Sequence, residues 1–167
     1  EVSKRIKTDG LHSLRLSFAD QHGLLRGKTL MAGSAAGKLG DGCALTTTLL
    51  LKDTSHRTVF PVWQSGGGLG NTQLTGAADF VLVPDPATFQ VLPWAPATGW
   101  MLCDIYFPDG TPVPYSTRQV CKDALAGLAG QGLGFATGLE VEFHVFRLLD
   151  EKLSPAEAGH PGAPPDV

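Results

Sequence analysis

Leu14, Leu16 and Phe18 place an apolar side chain at every second position of the segment that starts at Ser13, and that period confines it to an extended strand with one buried face. Asp20-Gln21-His22-Gly23 supplies turn chemistry, and Leu24 to Leu30 resumes the extended pattern, so the two segments are expected to pair as a hairpin. Ala32 to Leu39 predicts a short helix. Phe80-Val81-Leu82-Val83 and Phe89-Gln90-Val91-Leu92, joined through Pro84-Asp85-Pro86-Ala87-Thr88, predict a second hairpin, and Trp100 to Tyr106 predicts another apolar strand. Short strands between turns, followed by helix, point to the α+β class.

Pro108-Asp109-Gly110-Thr111-Pro112 consists of turn residues and marks an expected domain boundary, giving a first unit over 1–107. Ser116 with Gln119 three residues on forms a capping box, and Val120, Ala124, Leu125 and Leu128 recur at helical spacing up to Gly130 and Gly132. Leu139 to Leu149, with Val141, Phe143 and Val145 at alternate positions, is expected to be a long strand with its apolar side turned inward. A helix and one strand do not make a domain, so the unit over 108–150 is expected to be completed by further residues. The 151–167 stretch, rich in Pro, Gly and Ala, reads as a tail or loop.

Charge and cysteine content narrow the function classes. The 167 residues carry a net charge of −3, with Lys and Arg spread thinly, which is not the basic stripe that a nucleic-acid backbone requires. Cys43, Cys103 and Cys121 are odd in number and far apart, so they read as reduced core residues rather than a disulfide framework or metal clip. No apolar run is long enough for a membrane span, and a soluble, cytoplasmic protein with no membrane or nucleic-acid partner is expected. Ser65-Gly66-Gly67-Gly68-Leu69-Gly70-Asn71 lacks both the Rossmann and the P-loop spacing and is expected to be a mobile surface loop.

The chemistry-bearing candidates are Glu140 and Glu142. Two apart in a β-like segment, they would leave the same face with Cα atoms roughly 6.6 Å apart. On a solvent-facing edge such a pair is merely a polar face. In a central strand, like charges cost several kcal/mol unless cations compensate, and hard divalent ions such as Mg²⁺ beside a phosphate-bearing substrate are the natural partners. His144 shares that face and reads as a hydrogen-bonding wall residue rather than a ligand.

The Gly138-Leu139-Glu140-Val141-Glu142-Phe143 segment resembles the Gly-x-Glu-x-Glu-Phe strand of the glutamine synthetases, and other matches stand in the same order. Phe18-Ala19-Asp20-Gln21-His22-Gly23-Leu24-Leu25-Arg26-Gly27-Lys28 is similar to that family's N-terminal Asp-x-x-Gly-x-x-Arg-Gly-Lys hairpin. The stretch from Asp79 to Thr88, then Leu92-Pro93-Trp94 and Cys103-Asp104-Ile105-Tyr106 with Asp109-Gly110-Thr111-Pro112, looks like its middle region. The resemblance runs over residues 14–149.

The resemblance implies a β-grasp N-terminal domain followed by the first helix and strand of a larger, here incomplete, catalytic domain. It implies an ATP-dependent glutamate–ammonia or glutamate–amine ligase working through a γ-glutamyl phosphate, with Mg²⁺ or Mn²⁺, in a homo-oligomeric ring. Glu140 would bind the metal nearer the nucleotide phosphates and Glu142 the metal that organises glutamate. One departure stands out. Where the family carries Asp-Gly-Ser-Ser, whose Asp helps bind and deprotonate ammonium across a subunit interface, this chain has Asp53-Thr54-Ser55-His56 after Leu49-Leu50-Leu51. Asp53 is the stand-in, and the lost Gly-Ser pair leaves larger amines open as nucleophiles. Arg26 and Lys28 are read as structural, pairing with carboxylates at a subunit or domain contact. The chain by itself is expected to be inactive, and the competing reading is a non-catalytic assembly protein of the same family.

Overall fold

In the computed structural model, which describes residues 1–147, 149 and 156, the alternating segment forms strand β1 (Ser13–Ala19) and buries Leu14, Leu16 and Phe18. Strand β2 (Leu25–Met31) returns antiparallel to it, with Ser13 opposite Met31 and Ala19 opposite Leu25. Ahead of this hairpin lies helix α1 (Val2–Thr8), which the sequence reading did not anticipate; it buries Ile6. Helix α2 (Ala32–Asp41) follows β2, and its Ala35 is fully buried. The remaining strands are β3 (Cys43–Thr46), β4 (Asp79–Pro84), β5 (Gln90–Val91) and β6 (Thr98–Tyr106).

Strand β6 lies at the centre of the sheet, whose order is β2-β1-β6-β4-β3. Its first half runs parallel to β1, from Ser13 beside Thr98 to Ser17 beside Leu102. Its other edge is shared. The expected second hairpin does not form, because β4 and β5 both pair antiparallel with β6 rather than with each other. The intervening prolines do not reverse the chain. Asp85 caps a 3-10 turn at Pro86–Thr88, accepting from the Ala87 N–H at 3.0 Å, and the arm stays stitched to β6. The Asp85 N–H donates to the Leu102 carbonyl at 2.8 Å and the Leu102 N–H donates to Thr88 Oγ1 at 2.9 Å.

One face of the sheet carries the core: Leu14, Leu16 and Phe18 with Phe80, Leu82, Met101, Cys103 and Ile105, covered by Leu50, Leu51, Val62 and Leu74. Phe18 and Phe80 meet edge to face with centroids 5.2 Å apart, a geometry worth about 0.5–1.5 kcal/mol beyond the area it buries. The opposite face stays open as a groove of about 470 Å³ lined in part by Arg15, Lys28, Trp94 and Trp100.

The glycine-rich stretch differs from expectation. Gly67 and Gly68 are buried, and the Gly68 N–H donates to the Pro61 carbonyl at 2.9 Å. A Cβ on Gly68 would lie 2.6 Å from the Leu74 carbonyl oxygen, so glycine serves close backbone approach there. Among the cysteines, Cys43 and Cys103 are buried as expected, whereas Cys121 is exposed; all three are free. Burial pushes the Cys103 thiol up to about 12, which leaves it protonated and unreactive.

Helix α3 (Thr117–Gly130) begins where the expected box places it, with Ser116 Oγ accepting from the Gln119 N–H at 3.3 Å, but only this half of the box forms: Gln119 Nε2 donates to Asp123 at 2.7 Å and the Ser116 N–H donates to the Val113 carbonyl at 3.0 Å. Its first turns are tied to the sheet by charge: Arg118 pairs with Asp104 at 2.9 Å and with Asp85, and Lys122 reaches Asp104 at 2.6 Å. Val120 and Leu125 on its apolar stripe remain exposed. Among the described residues no helix is long and apolar enough to cross a membrane.

Over residues 139–146 the expected strand is not formed. Residues 133–146 carry no helix or strand, and Leu139, Phe143 and Val145 are 91%, 78% and 83% exposed. A strand needs a neighbour to take its backbone hydrogen bonds, and among the described residues no strand pairs with residues 139–146. Residues 148, 150 and most of the 151–167 tail lie outside the described residues.

Candidate functional site

Asp53 sits in a tight turn that follows the buried pair Leu50 and Leu51. Its Oδ1 accepts from the Ser55 N–H at 2.9 Å and the Arg57 N–H at 2.8 Å, an arrangement that Asp and Asn favour because the short side chain caps its own loop. The Arg57 N–H is the main cause that holds the Asp53 carboxyl below the usual carboxylate range; burial opposes it, and the Arg57 charge and the Ser55 N–H reinforce it. Asp53 is therefore an anion at neutral pH. His56 closes the turn at φ +62°, a left-handed conformation that non-glycine residues seldom adopt.

This turn is gripped by the tip of the β1–β2 hairpin. Gln21 Nε2 donates to the Leu50 carbonyl at 2.8 Å, and His22 Nε2 lies 3.1 Å from the Lys52 carbonyl. The centre of the grip is Asp20, which is 1% exposed. Its Oδ1 accepts from the N–H groups of His22 and Leu24 at 2.8 and 2.9 Å, and its Oδ2 accepts from Arg26 Nε at 2.6 Å. Burial works against ionisation most strongly, but the Arg26 hydrogen bond, the two backbone N–H groups and the Arg26 charge outweigh it and hold the carboxyl below its usual range. Arg26 then reaches on to His56 Nδ1 at 2.7 Å and toward the Asp53 carbonyl at 3.5 Å.

Arg26 is thus structural, as the sequence suggests, but its carboxylate partner lies in its own hairpin. Lys28 differs more: its Nζ donates to the Ala44 carbonyl at 2.9 Å, a backbone partner instead of a carboxylate. The connection from Asp20 through Arg26 to His56 escaped sequence reasoning. Opposite charges flanking the hairpin turn were a readable signal for the pair, whereas contact with a loop thirty residues away was not.

Glu140 and Glu142 are exposed in the irregular segment after α3, not on an interior strand. His144 is exposed as well, its ring 6.0 Å from that of Phe146. Among the described residues no three His, Cys, Asp or Glu side chains gather to hold a metal ion. The two carboxylates are nevertheless hard oxygen donors of the class that Mg²⁺ or Mn²⁺ takes, and as exposed groups they leave coordination positions to be filled by other donors.

The mixed sheet with few helices recurs in solved proteins. A structure of GmaS without ligand superposes with a TM-score of 0.58 at 25% identity, over 78% of this chain and 26% of that one. A GmaS/ADP complex gives 0.59 at 26% identity over the same shares. The class is therefore an α+β protein with a GmaS-like fold. No family model matches the chain. A gamma-glutamylanilide synthase of Acinetobacter sp. is 39% identical over 170 aligned residues, spanning 100% of this chain and 34% of the relative. A gamma-glutamylethanolamide synthetase of Streptomyces coelicolor is 32% identical over 88% of the chain and 31% of its own length. A glutamate–methylamine ligase of Methyloversatilis universalis is 29% identical over 95% of the chain and 32% of its own length. The chain belongs to the glutamine synthetase family, and it spans about a third of the length of these relatives.

Proposed function

We propose that the full-length protein is an ATP-dependent glutamate–amine ligase, activating the glutamate side-chain carboxylate as a γ-glutamyl phosphate that an amine then attacks. The observation that carries this reading is the 39% identity to a gamma-glutamylanilide synthase along the whole chain. The Asp53-Thr54-Ser55-His56 turn, in place of Asp-Gly-Ser-Ser, supports an amine over ammonia. Alternatives without catalysis find no support in the relatives described above, which are synthases and ligases.

In this reading residues 1–107 are the β-grasp domain, 108–150 open the catalytic domain, and the working enzyme is a homo-oligomeric ring. Asp53, held as an anion by the Arg57 and Ser55 N–H groups, would attract an amine that arrives as a cation, such as methylamine or ethanolamine, and orient it for loss of its proton. Glu140 and Glu142 would hold divalent ions, which when bound neutralise charge between the nucleotide phosphates and the incoming carboxylate. The strand that carries them would form once a neighbouring strand of the catalytic domain pairs with it, turning Val141 and Phe143 inward.

The test is a panel assay of the full-length protein with ATP, Mg²⁺, glutamate and, separately, ammonium, methylamine, ethanolamine and aniline. Amine-dependent phosphate release together with a γ-glutamyl product of the matching mass is expected. Phosphate release that no amine stimulates would remove the ligase reading, and turnover of ammonium alone would remove the preference for larger amines. The 167-residue chain by itself is expected to give no turnover, because the remaining metal and nucleotide contacts would come from elsewhere in the protein.

A further inference from the structure

Asp53 reaches its position through contacts that start in another element. The guanidinium of Arg26, its side chain only 10% exposed, is fixed from behind by Asp20 at 2.6 Å and presents its remaining donors to the 53–57 turn. Those donors meet His56 Nδ1 at 2.7 Å and the Asp53 carbonyl at 3.5 Å. Since guanidinium can only donate, His56 Nδ1 is the acceptor and its proton resides on Nε2. A planar fork rooted in a buried carboxylate is a rigid support, and it meets Asp20, His56 and the Asp53 carbonyl from three separate nitrogens, whereas the donors of an ammonium all radiate from one. The turn itself holds a left-handed His56, a conformation whose cost the Arg26 bond helps to offset.

We propose that Arg26 and His56 are positioning residues for amine use, a clamp from the hairpin that fixes the turn carrying Asp53 and thereby sets the affinity for the nucleophile. This rests on the reading of Asp53 as the amine-site carboxylate. The clamp selects for the turn's shape without touching amine, and its loss would enlarge the range of positions that Asp53 visits. Amine affinity should fall while glutamate binding, assigned to other residues, stays put.

The experiment uses the full-length protein with three clamp variants and an Asp53→Asn control. Arg26→Lys keeps the charge beside Asp20 but not the fork, His56→Ala removes the acceptor, and His56→Asn keeps an acceptor oxygen on a residue that tolerates the left-handed backbone. Two readouts are taken: KM and kcat for methylamine or ethanolamine and for glutamate, and hydrogen exchange at the Ser55 and Arg57 amides, which bond to Asp53 Oδ1. Arg26→Lys and His56→Ala should raise the amine KM about three- to tenfold, with glutamate KM and kcat within about twofold and faster exchange at both amides. His56→Asn should stay close to the parent in both readouts.

Unchanged exchange in Arg26→Lys and His56→Ala overturns the clamp, whatever the activity, so a protein that proves inactive toward every amine still decides this half. Faster exchange with an unchanged amine KM overturns the link to amine use. Parallel rises in glutamate and amine KM overturn it too, since they mark a general structural role. The Asp53→Asn variant separates the underlying reading from the clamp: if it leaves the amine KM unaltered, the assignment of Asp53 has failed rather than the support beneath it.

Discussion

Removing Asp20 tests the energetic weight of the hairpin hub. Three N–H groups converge on a carboxylate that is 1% exposed. Hydrogen bonds to a charged group contribute about 1.5–3 kcal/mol each, and much of that sum offsets the cost of taking the carboxylate out of water. Asp20→Ala leaves the His22 and Leu24 N–H groups without their acceptor and the Arg26 charge without its carboxylate, and removing one partner of a buried pair costs about 3–5 kcal/mol. Against a total of about 5–15 kcal/mol, that is a large share of the stability. Arg26→Met should also destabilise, though by less, because the carboxylate keeps two N–H donors. The double variant should fall short of the summed single losses by about 1–3 kcal/mol, since it no longer buries an unpaired charge. Urea unfolding of the 167-residue chain, followed by far-ultraviolet circular dichroism, measures all three. Single losses under about 1 kcal/mol, or strict additivity, would refute the hub as described.

Gly27→Ala should open the β1–β2 hairpin, because a Cβ there would come 1.8 Å from the Leu16 carbonyl oxygen; a loss of at least about 3 kcal/mol in the same unfolding assay is expected. In the native chain a maleimide should label Cys121 rapidly, whereas Cys43 and Cys103 should react only after denaturant is added, which peptide mapping by mass spectrometry reads directly. Acid should destabilise the fold. Asp20, Asp53 and Asp109 all have native values below the ordinary 3.8, so the unfolded chain binds protons first. Their contribution is fully present above 3.8 and is lost as pH falls through the lowered native values; a chain equally stable on both sides of that window would contradict the assignment.

Local pattern was legible where local interactions decide the structure. The alternation of Leu14, Leu16 and Phe18, and the Ser116 cap of α3, are satisfied within a few residues of chain, and both stand as read. Partner choice was not legible. Phe80 to Leu92 contains two β-like runs around a proline turn, and nothing local to them says that both will lie along β6 instead of facing each other. The segment holding Glu140 and Glu142 shows the same limit in reverse, since its alternation is suited to a strand but a strand is a property of a pair. Cys121 was assigned to the core on composition, yet the helix bearing it touches the sheet chiefly through the charged side chains Arg118 and Lys122.

The position of β6 has a consequence for synthesis. As the last strand of the sheet to leave the ribosome, it is also the one that joins the β1–β2 hairpin to β4 and β3. Until Thr98–Tyr106 emerges, the nascent chain can offer only two separate ribbons, β1 with β2 and β3 with β4, with Leu14, Leu16, Phe80 and Leu82 still seeking cover. Chaperone engagement should therefore peak on stalled chains ending before residue 98 and fall on chains whose exposed portion extends past residue 106.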